Sequence, residues 1–444
     1  MNFSKGVKTI FFIGIMLFDA CIFAQQTQDS IPITLQKAIE ICLNESPTIR
    51  IANREIQSKK YYKSEQIAAV FQDISLSGSY NRTIKKQVMT MEFGGMPMEI
   101  EVGTDNNYTV GLNVALPLVM PTIWQNIKLS KLDIELAIES ARSSKISLVK
   151  EIKKAYYAVL MSQESYNVLK RNYENIELSN KLIAEKYEQG LVSEFEKLRS
   201  DVQLKNQRPQ ITAAKNAIAV TTLMLKAIMG VDLYEPLIFT GSLSDYEDEV
   251  SHGTLPDYKS ITLENNSDLK QMDLNKNLIE ITKKLIISSA CPTLSLGGNY
   301  QFMAMNNNFK FSEYNWIPYS VIGLSLRVPI VSWAATSYKM KQNDLLLANI
   351  KDQKDYIEKN LRVSIQNNLN NINIAMEDLE SNKETMMQAE KAYQIVQKQY
   401  ELGMGTWLDL NSAELAMVGS KLTYYQSIYN YLTAYAELEA IMGK

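Results

Sequence analysis

The spacing of apolar residues changes along the chain from the period of a helix to the period of a strand. Residues 33 to about 70 carry apolar side chains at helical spacing, with Pro47 inside the stretch as a kink or break. Within 109–117, four apolar residues alternate with small or polar ones: Val110, Leu112, Val114 and Leu116. This change of period predicts a helix followed by strands with two different faces.

The same pattern occurs twice. Residues 186–193, KYEQGLVS, recur as QYELGMGT at 399–406, an offset of 213. Residues 75–80 match 295–300 at an offset of 220, whereas Pro117 matches Pro329 at an offset of 212. The first copy must therefore hold a loop about eight residues longer. Since a period above 200 residues is too long for a solenoid, the chain is a duplicated half-molecule.

Each half is predicted to contain a β-hairpin, at about 73–119 and about 293–329. The strands are about ten residues long and are joined by polar loops at 81–107 and 303–317. That length fits membrane-spanning strands, which need roughly 9–11 residues. An ordinary half-buried hairpin alternates in the same way, so the pattern alone leaves both possibilities open.

A very long helix follows each hairpin. Residues 122–189 and 332–402 contain no glycine or proline, and 68 residues of helix span about 100 Å. Heptad spacing near their ends predicts coiled-coil packing. The heptad positions are Tyr166, Leu169, Tyr173, Ile176, Ile183 and Tyr187 in the first copy, and Leu379, Asn382, Met386, Ala389, Tyr393, Val396 and Tyr400 in the second.

The duplicated motif predicts a tight turn at the end of each long helix. Gly190 and Gly403 suit the left-handed position just past a helix C-terminus. The next helices begin at the predicted N-caps Ser193 and Thr406, and the acids three residues later, Glu196 and Asp409, complete or approximate capping boxes. The return helices are expected to run to Met229 and Met442.

The two turns, 190–193 and 403–406, also carry apolar side chains that a turn does not require. Glycine and Ser/Thr are sufficient to reverse two helices, but Leu191, Val192 and Met404 are not explained in that way. Apolar groups at an exposed tip indicate a docking partner.

Composition narrows the function further. The net charge of −3 without a basic stripe disfavours a nucleic-acid partner. No Ser–His–Asp set, glycine-rich phosphate loop or metal cluster is evident, so the expectation is a non-enzyme without a cofactor. Residues 1–24 resemble an export signal with cleavage after Ala24; lipid attachment at Cys21 is the alternative. Beyond it, no apolar run approaches 18 residues, so any membrane crossing is expected to use strands.

The expected organisation is therefore mainly α-helical with a small β part. It comprises a signal at 1–24, a first repeat at 25–230, a linker at 231–258 and a second repeat at 259–444. Each repeat is read as helix, hairpin, long helix, tip turn and return helix. Four strands cannot close a transmembrane barrel, which needs at least eight, so several chains would have to share one.

With these features, the chain resembles a TolC-family outer-membrane efflux protein. The resemblance covers both halves and rests on the paired turns, on strands ending in Leu-Pro-Leu (116–118) and Val-Pro-Ile (328–330), and on the Ser-Leu-x-Gly-x-Tyr segments at 75–80 and 295–300. It implies a homotrimer in outer-membrane lipid, with one shared 12-stranded barrel and a periplasmic helical tunnel. Its tips would dock a periplasmic adaptor and an inner-membrane pump.

The function implied is a passive exit duct of a tripartite efflux or type I secretion system. A soluble periplasmic coiled-coil scaffold without channel activity is the alternative from another class.

The resemblance also assigns candidate residues. Asp409 matches an acid that lines the periplasmic aperture, and Tyr400 and Glu196 match positions of the closing latch. Gly405 stands where a latching arginine is expected and Ser412 where a second acidic ring is expected, so the full ion-pair set is absent. A capping role competes most strongly at Glu196.

Aromatic residues near the strand ends could form interfacial belts or pack inside the fold. They are Tyr314, Trp316 and Tyr319 at one rim and Trp124 and Trp333 at the other.

Overall fold

The structure is a computed structural model that describes residues 31–71, 73–252, 258, 261–331 and 333–444. The predicted export signal at 1–24 and the alternative lipid site at Cys21 lie outside the described residues. The described part is mainly helical with a small β part, as predicted.

Eight helices make up most of the described chain. They are α1 (Leu35–Glu45), α2 (Pro47–Ala68), α3 (Pro121–Glu188), α4 (Glu194–Met229), α5 (Glu247–His252), α6 (Ser267–Ser288), α7 (Trp333–Glu401) and α8 (Trp407–Ile441). The predicted break at Pro47 is confirmed, because α1 ends two residues before it and Pro47 opens α2. The two long helices have 68 and 69 residues. Pro209 lies inside α4, where it removes one helical hydrogen bond.

In the described part of the chain, eight strands form three small sheets. They are β1 (Ile31–Ile33), β2 (Asp73–Arg82), β3 (Gln87–Phe93), β4 (Met96–Val102), β5 (Asn106–Val119), β6 (Leu237–Phe239), β7 (Thr293–Asn306) and β8 (Ile317–Arg327). The main sheet has the order β2-β5-β7-β8, with every neighbouring pair antiparallel. Strands β5 and β7 join the two halves at its centre.

The pairing register is duplicated together with the sequence. In the first hairpin Ser77 pairs with Gly111, and in the second Gly297 pairs with Gly323. These pairs are related by the offsets 220 and 212 seen in the sequence. Each half therefore contributes the same two-stranded unit.

The main sheet has one apolar and one polar face. Leu76, Leu112, Tyr300 and Leu324 share the apolar face and are largely exposed in the single chain. On the other face, the Asn113 side-chain amide donates to Ser77 Oγ at 2.9 Å, and the Asn299 amide donates to Asn113 Oδ1. The outer edges of β2 and β8 have no strand partner among the described residues.

The prediction of a polar loop at 81–107 was wrong. That segment contains the antiparallel hairpin β3–β4, and β5 already begins at Asn106. Gly94 and Gly95 connect the strands with φ of +62° and +84°, the left-handed pair of a tight hairpin turn. The Gly-Gly signal between extended segments was present in the sequence. The second loop is also shorter than expected, since β7 continues to Asn306.

A central core joins both halves at mid-height of the helical region. Tyr156 and Leu160 of α3 pack there with Ile372 of α7 and Ile428 of α8, all essentially buried. The 231–258 segment joins this core, because Leu243 is fully buried and β6 pairs in parallel with β1. It is thus an ordered part of the fold where the structure describes it.

The predicted heptad positions mostly face neighbouring helices. Ile176 and Ile183 are buried in α3, as are Leu379, Tyr393 and Tyr400 in α7.

Asn180 lies at the heptad position between Ile176 and Ile183, where an apolar residue would be expected, and it is hydrogen-bonded to the neighbouring helix. Its amide donates to Ser200 Oγ at 3.0 Å and Asp201 Oδ1 at 2.8 Å, both on α4. A polar residue at this position therefore links two helices without an unpaired amide.

Contrary to the expectation for the whole chain after residue 24, α4 contains a stretch long and apolar enough to cross a membrane by length and composition. The helix packs along α3. Such a property in one helix is weak evidence for membrane crossing.

Candidate functional site at the helical tips

Both long helices end in the same hydrogen-bonded turn. Gly190 has φ of +73°, its N–H donates to the Tyr187 carbonyl, and the next N–H donates to Lys186 at 2.9 Å. Gly403 has φ of +75°, its N–H donates to the Tyr400 carbonyl, and the Met404 N–H donates to the Gln399 carbonyl. This is the Schellman arrangement, and the predicted role of both glycines is confirmed.

The two return helices begin with side-chain caps. Ser193 Oγ accepts from the Glu196 N–H at 3.3 Å, and Thr406 Oγ1 accepts from the Asp409 N–H at 3.2 Å. Only the second cap is a complete capping box, because Asp409 Oδ2 also accepts from the Thr406 N–H at 3.3 Å. The capping role expected mainly for Glu196 is therefore stronger at Asp409. Asp409 is nevertheless exposed.

A compact cluster, here named the tip core, lies behind the turns. Its buried members are Val168, Ile183, Tyr393, Tyr400, Trp407, Leu410, Met417 and Val418. These residues come from α3, α7 and α8, so the tip core joins the two repeats. Val192 packs against it and is half-buried, which gives this turn residue a structural role.

The other apolar turn residues remain uncovered. Leu191 is 69% exposed and Met404 is 71% exposed, although both are large apolar side chains. The adjoining helix α4 adds Phe195, Leu198 and Val202, which follow i, i+3, i+7 spacing and are also exposed. The stripe was not predicted from the sequence, although its helical i, i+3, i+7 spacing is present there. The tip therefore presents an apolar surface that one chain does not cover.

Tyr400 is buried in the tip core and forms contacts with both repeats. The ammonium group of Lys186 lies 4.7 Å from its ring centroid. Burial raises the pKa of the Tyr400 phenol, and the nearby Glu196 carboxylate raises it further. Its hydroxyl has no hydrogen-bond partner among the residues that the structure describes. The structure thus brings the candidates Tyr400 and Glu196 together, whereas the side chain of Asp409 bonds to Thr406.

A second cationic contact connects the return helices. The Arg199 guanidinium carbon of α4 lies 4.6 Å from the ring of the buried Trp407 of α8. Neither Arg199, Trp407 nor Lys186 was identified as functional from the sequence. Their pairing depends on which helices become neighbours, and spacing along the chain carries no signal of that.

Gly405 and Ser412, the two positions that depart from the expected latch, have defined surroundings in the structure. A Cβ atom at Gly405 would lie 3.3 Å from the Tyr400 backbone nitrogen, so the turn passes close to the last turn of α7. Ser412 is exposed, but the acid two residues later, Glu414, is buried. Burial raises the pKa of Glu414 to about 7, although a 3.5 Å hydrogen bond from Gln203 acts in the opposite direction.

The aromatic residues at the strand ends differ in exposure. Tyr314 is buried, and its ring packs against Tyr108 and Phe311, which agrees with the alternative of internal packing. Trp316 and Tyr319 are exposed, as are Trp124 and Trp333 at the other end. The exposed rings remain candidates for an interfacial belt.

Comparison with known proteins assigns the chain to a protein family. The sequence model of the family described as "Outer membrane efflux protein" matches residues 38–231 and 260–444, one stretch in each half. The chain belongs to this family, and the resemblance stated from the sequence is confirmed.

Individual relatives agree with this assignment. The probable efflux pump outer membrane protein TtgC of Pseudomonas putida is 22% identical over 414 residues, covering 89% of this chain and 81% of TtgC. Among solved structures, the Campylobacter jejuni CmeC outer membrane channel superposes with a TM-score of 0.73 at 16% identity, covering 92% of this chain and 85% of CmeC. The open state of the Neisseria gonorrhoeae MtrE outer membrane channel gives 0.73 at 14% identity, covering 92% and 88%.

Proposed function

We propose that the chain is the outer-membrane exit duct of a tripartite efflux system, a passive channel that an adaptor and an inner-membrane pump open. Three copies share one barrel of twelve strands, and their long helices form a periplasmic tunnel. The observation that carries the proposal is the main sheet, with its exposed apolar face and two unpaired edges.

The edges of the sheet favour closure between copies. Unpaired backbone groups are not tolerated in lipid, so β2 and β8 need partners there. Because the four strands alternate in direction, β2 and β8 run in opposite directions. Joining β8 of one copy to β2 of the next therefore continues the antiparallel order around a ring.

The requirement for a duct favours three copies over two. Two copies would provide eight strands, and the interior of an eight-stranded barrel is just wide enough for side chains to fill. Three copies provide twelve strands and leave room for a lumen. The polar face of the sheet, with Ser77, Asn113 and Asn299, would then line that lumen.

The tips supply the surface for a partner. Leu191 and Met404 are apolar, exposed and located at the turns, where neighbouring helices of the same chain cannot cover them. We assign these residues to adaptor docking. The exposed stripe of Phe195, Leu198 and Val202 gains neighbours when copies assemble side by side.

Because the pairing register is duplicated, it predicts which residues would lie opposite each other between two copies. Inside the chain, Asn113 of β5 pairs with Asn299 of β7. Applying the repeat offsets places Ser325 of β8 opposite Ser79 of β2 in the next copy. Both residues are small and lie on the polar face, so the double variant Ser79→Cys/Ser325→Cys should form an interchain disulfide in the membrane.

The experiment uses a Cys291→Ser background, since Cys291 is a partly exposed thiol whereas Cys42 is buried. Oxidised membranes should give covalent dimers and trimers for the double variant and monomers for each single variant. The pair Ser75→Cys/Ser325→Cys, four residues out of register, is the matched control. Planar-bilayer recording should show channels for the parent protein. Recovery as a folded soluble periplasmic monomer without cross-links or channels would instead establish the scaffold alternative.

A further inference from the structure

The hairpin β3–β4 carries four methionines on one face. Met89 and Met91 are two apart on β3, and Met96 and Met98 are two apart on β4. Met91 and Met98 are directly paired, and the register puts all four side chains on the same side. This face has no role in the proposed duct.

Met91 and Met98 lie directly opposite each other, and Met89 and Met96 are each diagonal to one of them. Directly opposite residues in an antiparallel pair have Cβ atoms about 4.5–5.5 Å apart, and diagonal neighbours about 7–8 Å apart. Methionine has three flexible side-chain torsions, so the sulfur atoms of Met91, Met98 and either Met89 or Met96 can converge on one point. The side chains are free to do so, because they are 40% to 76% exposed.

The choice of residue favours a ligand over plain packing. An apolar strand face is normally built from β-branched or aromatic residues, which suit the pleated backbone better than methionine. Methionine differs from them by its soft, uncharged sulfur donor. Thioethers select monovalent copper and similar soft ions over hard ions such as magnesium or calcium.

The rest of the hairpin fits a cation. Its opposite face carries Glu92, Glu99 and Glu101, all exposed, whose charge raises the local concentration of cations. Residues 84–105 contain neither histidine nor cysteine, so sulfur donors here come from methionine alone. Among the described residues, no group of three or more His, Cys, Asp or Glu side chains is arranged to hold a metal.

We propose that the β3–β4 hairpin binds one Cu(I) or Ag(I) ion through the thioethers of Met91 and Met98, with a third thioether from Met89 or Met96. The site is independent of the tips and of adaptor docking. Because a thioether has no proton to lose near neutral pH, ion affinity is expected to be unchanged between pH 5 and 8.

The test compares silver binding by full-length protein in detergent. Silver(I) serves as the probe because it shares the thioether preference and is stable in air. The variant Met91→Leu/Met98→Leu keeps an apolar face of similar volume but removes the paired sulfur atoms. Ions bound per chain are measured by elemental analysis after desalting, and affinity by calorimetry.

The wild-type protein should bind one more tightly held silver ion per chain than the double variant. Silver bound by thiols or by the other methionines is the same in both proteins, so it does not contribute to this difference. Met224→Leu/Met387→Leu, which changes two exposed methionines on α4 and α7, is the control and should bind as the wild type does. Methyl signals of selectively labelled methionines should shift for the hairpin residues on silver addition.

Equal silver content in the wild type and Met91→Leu/Met98→Leu would overturn the proposal and leave the face as an apolar surface. Binding that disappears at pH 5 would also overturn it, since carboxylates rather than thioethers would then hold the ion.

Discussion

The Lys186 ammonium group lies over the Tyr400 ring and also donates a 3.2 Å hydrogen bond to the Tyr400 backbone carbonyl. Lys186 belongs to α3 and Tyr400 to α7, so this contact joins the two repeats at their tips. In the proposed channel, the end formed by the helical tips can widen only if contacts of this kind between the two repeats are broken.

Lys186→Met is therefore expected to favour the open channel. The substitution removes a cation–π contact, for which about 1 kcal/mol is typical at a partly exposed site. Single-channel recordings should show a severalfold rise in open probability. Lys197→Met is the matched control, because Lys197 of α4 lies 5.1 Å from the centre of the Tyr187 ring of α3, inside one repeat. Equal effects of both substitutions would remove the assignment of a latch to Lys186.

Leu191→Asp is expected to weaken adaptor association while leaving trimer assembly intact. Leu191 is exposed at the turn, so the folded chain loses little, but the bound complex would have to desolvate a charge. Co-purification with the adaptor should fall at least tenfold, and cells should become more sensitive to exported compounds.

The control for docking is Leu178→Asp, since Leu178 is similarly exposed on α3 but lies away from the turn. Adaptor affinity that is unchanged in a well-folded Leu191→Asp protein would argue against docking at this tip.

Asp409→Asn is expected to change ion selectivity more than stability. In a closed trimer, three Asp409 carboxylates would form one ring that attracts cations. The Asn side-chain oxygen can still accept from the Thr406 N–H, so the cost in stability should stay within about 1 kcal/mol. Reversal potentials in a salt gradient should show reduced cation preference.

Glu196→Gln gives a useful comparison, because Glu196 lies beside the buried Tyr400 and makes no complete capping box. A loss of stability in Asp409→Asn with unchanged selectivity would assign Asp409 to the helix cap alone.

Glu414 makes the stability of the tip dependent on pH. Burial is the main reason that its pKa is raised from 4.5 to about 7. The native carboxyl then holds its proton more tightly than the unfolded one. The resulting stabilisation is complete below pH 4.5, declines as the pH rises to about 7, and is absent above that.

Glu414→Gln should remove this dependence. At pH 8 the variant is expected to be more stable than the parent, by up to roughly 3 kcal/mol if the whole pKa shift is expressed. Denaturant unfolding at pH 5 and 8 measures the difference. The exposed Glu401→Gln is the control, and a Glu414→Gln protein with the parent's pH profile would contradict the buried-carboxylate account.

The parts predicted best from the sequence are those determined by neighbours along the chain. Gly190 and Gly403 end helices because only a residue tolerant of positive φ fits there, and alternation identified the strands of the main sheet. The hairpin β3–β4 was missed because its Gly-Gly turn was read as part of a polar loop.

Sequence patterns could not predict the contacts between different helices. Lys186 meets Tyr400 across 214 positions. Glu414 is buried beside Gln203 of α4 and Tyr393 of α7, and its own spacing does not show this. The complete capping box at Asp409 also shows that two acids at equivalent repeat positions can make different bonds.

The two unpaired edges of the main sheet also determine how such a channel could assemble in the membrane. A lone chain offers lipid an apolar face but cannot shield the backbone groups along β2 and β8. In the proposed channel, stable insertion by one chain at a time is therefore unfavourable, and the barrel closes as the copies associate. The rate at which channels form should then rise more steeply than in proportion to the amount of exported chain.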